Sequence, residues 1–357
     1  GAMVAPTPTS ALLHSSTMVK AGVFLLVKLA PIFAVCLSAS TMVILVGGFT
    51  FLFCSLMAIS QSNAKRVLAY STIANLGLIT ACAGVGTAEA IWAATFLILF
   101  HAAAKSLLFL CVGTAEHHIG SRDIESMDLL FERMPHLARL MMIGIMCMFI
   151  APLGMLMAKW GALVSFAETK NIVLLLILAF GSAATFMFWA KWIGKLAGIA
   201  QSTENVEKTV HKSEWIALLL MTTLIFICCV LMPVISEYII EPYIASAGIV
   251  SVIASQALTD DNMVIAAILT VLVFIVLIAG PGRSKARKVD VYLAGISVDN
   301  EKREFTNALS GVSAATARNW YLADWFGEAK LNGFSTIFCT VLIIACFVMS
   351  VLSPLGF

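Results

Sequence analysis

Nine stretches of this 357-residue chain are apolar over about the length of a bilayer crossing: residues 11–33, 41–60, 67–86, 90–112, 140–166, 172–196, 215–240, 264–280 and 334–352. A helix rises about 1.5 Å per residue, so some 20 residues span roughly 30 Å of hydrocarbon. Lipid supplies no partners for backbone N–H and C=O groups, and an open sheet edge is excluded there. The chain is therefore expected to fold as an all-α, polytopic transmembrane helix bundle of about nine helices. Its composition agrees: 61% of residues are hydrophobic and 12% charged. Segment 244–257, between Pro242 and Asp260, either extends the preceding helix or lies at the interface.

The loops orient the bundle. Assigned alternately to two sides, they place seventeen of the twenty-two basic residues on one face and two, Lys28 and Lys170, on the other. The positive-inside rule makes the richer face cytoplasmic and puts the chain ends on opposite sides. The protein is expected in the cell inner (plasma) membrane. A net charge of +2 gives no argument for nucleic acid. The nine cysteines are scattered through apolar stretches, with only Cys228 and Cys229 adjacent, and read as small hydrophobes. His117 and His118 sit beside Glu116 without further ligands at metal spacing, so no metal site is expected. No phosphate loop, nucleophile elbow, or haem or iron–sulfur spacing is present, and no cofactor is assigned.

Against this background a few ionisable residues lie at membrane depth: His14 and Lys20, Lys65, His101 and Lys105, and Lys159. A charge at the centre of a span costs about 2.5–3.5 kcal/mol on insertion scales, so such residues point to ion or proton paths. Low dielectric favours neutral lysine, and imidazole titrates near neutrality, so both can exchange protons. His101 and Lys105 are four apart and share a helix face, as do Lys65 and Thr72 seven apart. Pro152 and Gly154 precede Lys159, which predicts one broken helix near Pro152. Simpler readings stand beside these. Lys20, Lys28 and Lys65 can snorkel to the interface, and His14 among hydroxyls can be a packed histidine. The polar segment 281–331, with Trp320 and Trp325, reads as a cytoplasmic loop with an interfacial helix, or as a docking surface for a peripheral partner.

Three runs go further: Ala5-Pro-Thr-Pro through Leu13-His-Ser-Ser-Thr-Met18 to Val23, Lys65-Arg-Val-Leu-Ala-Tyr-Ser-Thr72, and His101-Ala-Ala-Ala-Lys-Ser-Leu-Leu-Phe-Leu110. In this order they resemble the antiporter-like proton-pumping subunits of respiratory complex I. That family also holds the large subunits of Mrp-type sodium/proton antiporters and membrane subunits of energy-converting nickel–iron hydrogenases. The resemblance is clear to about Lys195. It implies two inverted repeats, each with a broken helix, and protons passing through buried Lys, His and Glu. Carried over by motif, the relay falls on Lys65, His101, Lys105, Lys159 and His14, with Thr72 beside it.

Some positions depart from the family. Leu97 stands where some relatives have another histidine, and Lys159 where some have glutamate, which looks most like the hydrogenase type. The family's buried glutamate and lysine ahead of the Ala-Pro-Thr-Pro turn fall outside this chain. It therefore reads as the C-terminal part of a longer subunit. Residues 1–200 would hold the second half of the translocation core, 201–280 additional helices, 281–331 the polar loop and 332–357 a final helix. The resemblance implies proton translocation coupled to electron transfer in peripheral redox subunits, alongside other membrane subunits and the lipid bilayer. Sodium/proton antiport and a non-conducting membrane anchor are the alternatives.

Overall fold

A computed structural model describes residues 5–128, 130–149, 154–197, 205–249, 260–279, 292, 294–298, 304–314 and 319–352. It is a helical bundle in which eight helical segments are long and apolar enough to cross a membrane. The expected crossing at 264–280 corresponds to helix Asp260–Ala279.

Helix Ala88–Ile119 is the hub, packed against Thr7–Ser15, Ala64–Val85, Pro135–Phe149, Gly154–Glu168 and Lys212–Val230. Its start is set locally. Gly86 turns the chain with φ of 70°, a conformation that favours glycine, and the Thr87 hydroxyl accepts from the Ala90 amide at 3.3 Å. Helix 64–85 is capped in the same way by Asn63, which accepts from Arg66 N at 3.3 Å. It lies hard against helix Leu37–Ile59: a Cβ on Gly77 would fall 2.7 Å from Gly47 O and from Phe51 N. Such close backbone approach between small residues is the usual way helices associate in lipid.

Two features differ from the sequence expectation. The first crossing is not one helix but Thr7–Ser15 and Met18–Lys28, followed by Ala30–Val35. No proline or glycine lies at the first interruption. Instead the Ser15, Ser16 and Thr17 hydroxyls turn back onto the Ala11 and Leu12 carbonyls, and Thr17 leaves the helical region at φ −106°, ψ −95°. The polar segment also carries a small antiparallel sheet in the order Ile296–Ser297, Glu304–Thr306, Val312–Ala314, with Phe305 opposite Ser297 and Ser313. The same segment ends in the short helix Ala323–Phe326, leading into Glu328–Leu352. The break expected near Pro152 falls on residues 150–153, which lie outside the described residues.

Candidate functional site

Lys105 lies at the centre of the bundle with no exposed surface. Its ammonium donates to Leu68 O at 3.1 Å and to the Ser71 hydroxyl, and it lies 5.0 Å from the centre of the Trp189 ring. The Leu68 carbonyl also accepts from Ser71 and from Thr72, the latter at 2.8 Å. Thr72 is thus joined to Lys105 through a shared acceptor, while its own hydroxyl is held by its helix. Ser71 O in turn accepts from the buried Asn75 amide at 2.7 Å, leaving Asn75 Oδ1 without a partner among the described residues.

One turn before Lys105, His101 is also fully buried, and neither ring nitrogen has a hydrogen-bond partner among the described residues. The charges of Lys20, Lys105 and Lys159 all reach it. Lys159 is 5% exposed, with its ammonium 5.9 Å from the Phe51 ring centre. Lys20 is equally buried and its ammonium has no hydrogen-bond partner among the described residues. Three lysines and a histidine from helices 18–28, 88–119 and 154–168 therefore gather in one apolar region. The acidic residues of helices 88–119 and 154–168 sit only near their ends, at Glu89, Glu116 and Glu168, and helix 64–85 has none. Unpaired cations in such a setting are costly.

Lys65 occupies a different place. Its ammonium, almost wholly buried, meets Glu116 Oε2 at 3.1 Å, and the same carboxylate takes Arg122 Nε at 2.9 Å and the Thr7 hydroxyl at 3.2 Å. This cluster opens into a cavity of about 660 Å³ on the face that the loop charges mark as cytoplasmic, next to Glu214 and His117. Glu214 also faces His118, at 3.6 Å, and the His118 Nδ1 meets the Thr209 hydroxyl at 2.8 Å. His14 lies on the short first helix, its ring along Phe109 with centroids 6.1 Å apart and Nε2 without a partner among the described residues. Next to it, Ser106 donates to the Ser15 hydroxyl at 2.8 Å.

The sequence reading singled out Lys65, Thr72, His101, Lys105, Lys159 and His14. The structure joins Thr72 and Lys105 through one acceptor with His101 a turn before and Lys159 buried nearby, pairs Lys65 with Glu116 toward the end of the same helix, and sets His14 against Phe109, one turn beyond Lys105. Glu116 was missed, although it follows Lys105 by eleven residues, about three turns, and so shares its face. Lys20, for which snorkelling to the interface was the simpler reading, is buried on helix 18–28. Trp189 and Asn75 gave no signal beyond ordinary core composition.

Residues 1–187 match the family model described as NADH:quinone oxidoreductase/Mrp antiporter, TM. The chain belongs to this family. It is a multi-pass integral protein of the plasma membrane. It is 32% identical over 274 residues to the Na(+)/H(+) antiporter subunit A1 of Staphylococcus saprophyticus, a match that covers 69% of this chain and 34% of that protein. The chain thus spans about a third of the length of the curated relatives it matches. Two solved structures share the fold at 25% identity. In the Mrp complex from Dietzia sp. DQ12-45-1b the match has a TM-score of 0.56 and covers 81% of this chain and 33% of that one. In the membrane-bound sulfane sulfur reductase, an archaeal respiratory membrane complex, the TM-score is 0.59 and the coverage 74% and 52%.

Proposed function

We propose that this chain forms a proton path within a cation/proton antiporter assembly of the Mrp type. Protons enter at the Lys65–Glu116 pair, reach Lys105 along the Ser71 and Thr72 face, and pass by His101 to Lys159. The observation that carries this reading is the cluster around His101: a buried imidazole without a hydrogen-bond partner among the described residues, accompanied by buried lysines that have no carboxylate partner there. A structural anchor has no use for such a cluster, since apolar residues of the same volume would cost less. Lys20 joins it as a fourth site, and its unpaired ammonium adds repulsion that drives a proton arriving at His101 onward.

The driving force is where two readings diverge. The name of the staphylococcal relative supports exchange against sodium, which places the other antiporter subunits as partners. The likeness to an archaeal respiratory complex supports the second reading, in which electron transfer in peripheral redox subunits drives the protons. Inverted membrane vesicles carrying the whole assembly, energised to an acid interior and then given sodium, separate the two. Antiport predicts collapse of the pH gradient on sodium addition without any electron donor. A gradient that ignores sodium and forms only when electron donor and acceptor are supplied would replace antiport with redox coupling.

A further inference from the structure

Away from the buried lysines, the cytoplasmic end of the bundle carries a cavity of about 700 Å³ between helix 135–149, the short turn Glu207–Thr209 and helix 212–230. Its floor is apolar, made by Leu140, Ile143 and Leu219, and Trp215 forms one wall. Its rim is cationic, with Arg139 and Lys208. The one carboxylate on the rim, Glu207, is already engaged. It accepts from the His136 and Leu137 amides at 2.7 and 3.0 Å and meets the His136 ring at 2.7 Å, capping helix 135–149. Arg139, one turn further in, is different: its Nε is buried yet has no hydrogen-bond partner among the described residues.

A guanidinium N–H taken out of water without an acceptor is unfavourable, and its geometry suits a phosphate oxygen. The polarity of the cavity runs along the membrane normal. Cations stand at the headgroup level of the face that loop charge marks as cytoplasmic, and apolar side chains follow within the next helical turn, at Leu140 and Ile143. A tryptophan at that border is typical of the lipid interface. An anionic headgroup above an acyl chain matches this order, and a soluble anion would leave the apolar floor uncovered.

We propose that this cavity is a specific site for an anionic glycerophospholipid of the cytoplasmic leaflet. Its phosphate is held by Arg139 and Lys208, and one acyl chain lies over Leu140, Ile143 and Leu219 beside Trp215. The occupied site would tie helix 135–149 to helix 212–230.

The test is made on the whole assembly, purified in mild detergent from membranes containing phosphatidylglycerol and phosphatidylethanolamine, with retained lipid counted by native mass spectrometry. Wild type is expected to keep phosphatidylglycerol that the double variant Arg139→Gln/Lys208→Gln loses by tenfold or more, with phosphatidylethanolamine unchanged. Ile143→Trp fills the floor without altering charge, and it is expected to lose the same lipid. A third measurement covers the case in which the charge variant does not assemble: brominated phosphatidylglycerol should quench wild type more than Trp215→Phe, and millimolar inorganic phosphate should not relieve the quenching. Equal lipid retention in wild type and Ile143→Trp, or full displacement by inorganic phosphate, would overturn the proposal.

Discussion

The Lys65–Glu116 pair is the point at which two roles of a charged residue can be told apart. A snorkelling lysine interacts with water and headgroups, and its loss is felt by itself alone. Here the ammonium is buried against a carboxylate that also binds Arg122 and Thr7. Removing Glu116 leaves the buried Lys65 ammonium without its counter-ion, and removing Lys65 leaves the carboxylate to Arg122 and Thr7. A double-mutant cycle between Lys65→Met and Glu116→Gln, read from thermal unfolding in detergent, should give a coupling of about 0.5–3 kcal/mol. Additive effects would return Lys65 to the role of an anchor. The same reasoning explains why Lys65 was legible from its motif while Glu116 was not. A carboxylate in a polar Glu-His-His run reads as a solvated helix end until its partner in another helix is known.

Among the elements, the close pairing of helices 37–59 and 64–85 sets the position of Ser71, Thr72 and the Leu68 carbonyl, and so the seat of Lys105. A side chain on Gly77 would meet backbone atoms of Gly47 and Phe51, which cannot move aside without shifting a helix. Gly77→Ala should therefore destabilise by about 1–3 kcal/mol and lower proton flux with it. Gly194→Ala, where nothing lies within 4 Å, should leave the melting temperature within error. Equal melting temperatures for the two variants would contradict the packing. The positions of the long helices were legible because apolar length largely decides them in lipid. The interruption at Ser15–Thr17 was not, because the signal for a break was sought in proline and glycine. Here hydroxyl groups compete for the carbonyls, a weaker pattern that also occurs in unbroken helices. The short strands at 296–314 were hidden for another reason: two- and three-residue strands carry too few positions to show a period.

On the scale of the whole molecule, the polar segment is tied to the bundle at Glu125, beside contacts of Arg66 with Glu328 and of Lys191 with Trp320. Glu125 accepts from Tyr321 Oη at 2.6 Å and Asn319 N at 3.1 Å, and pairs with Lys195 at 2.8 Å. Burial alone would push the Glu125 carboxyl up; the Lys195, Tyr321 and Asn319 contacts outweigh it and hold it below the usual carboxylate range. A carboxyl lowered in the folded state adds stability above its unfolded value, near pH 4, and that contribution is lost as pH falls through the folded value. Limited proteolysis near Tyr321 should therefore accelerate as pH drops below about 4, and Glu125→Gln should accelerate it already at pH 7. Unchanged cleavage in the variant would show that the tether lies elsewhere. The grouping of Lys20, His101, Lys105 and Lys159 also belongs to this scale, since it joins three helices far apart in the chain. Spacing within one helix showed that His101 and Lys105 share a face, but only the assembled bundle sets Lys20 and Lys159 around them.

Proton flux through Lys105 decides between a path and an anchor. In sealed vesicles bearing the intact assembly, Lys105→Ala should remove at least nine-tenths of the cation- or redox-driven pH change, while the assembly is recovered in wild-type amount and melts within a few degrees of wild type. Wild-type flux in that variant would contradict a proton path through the buried lysines and leave the chain as a membrane anchor.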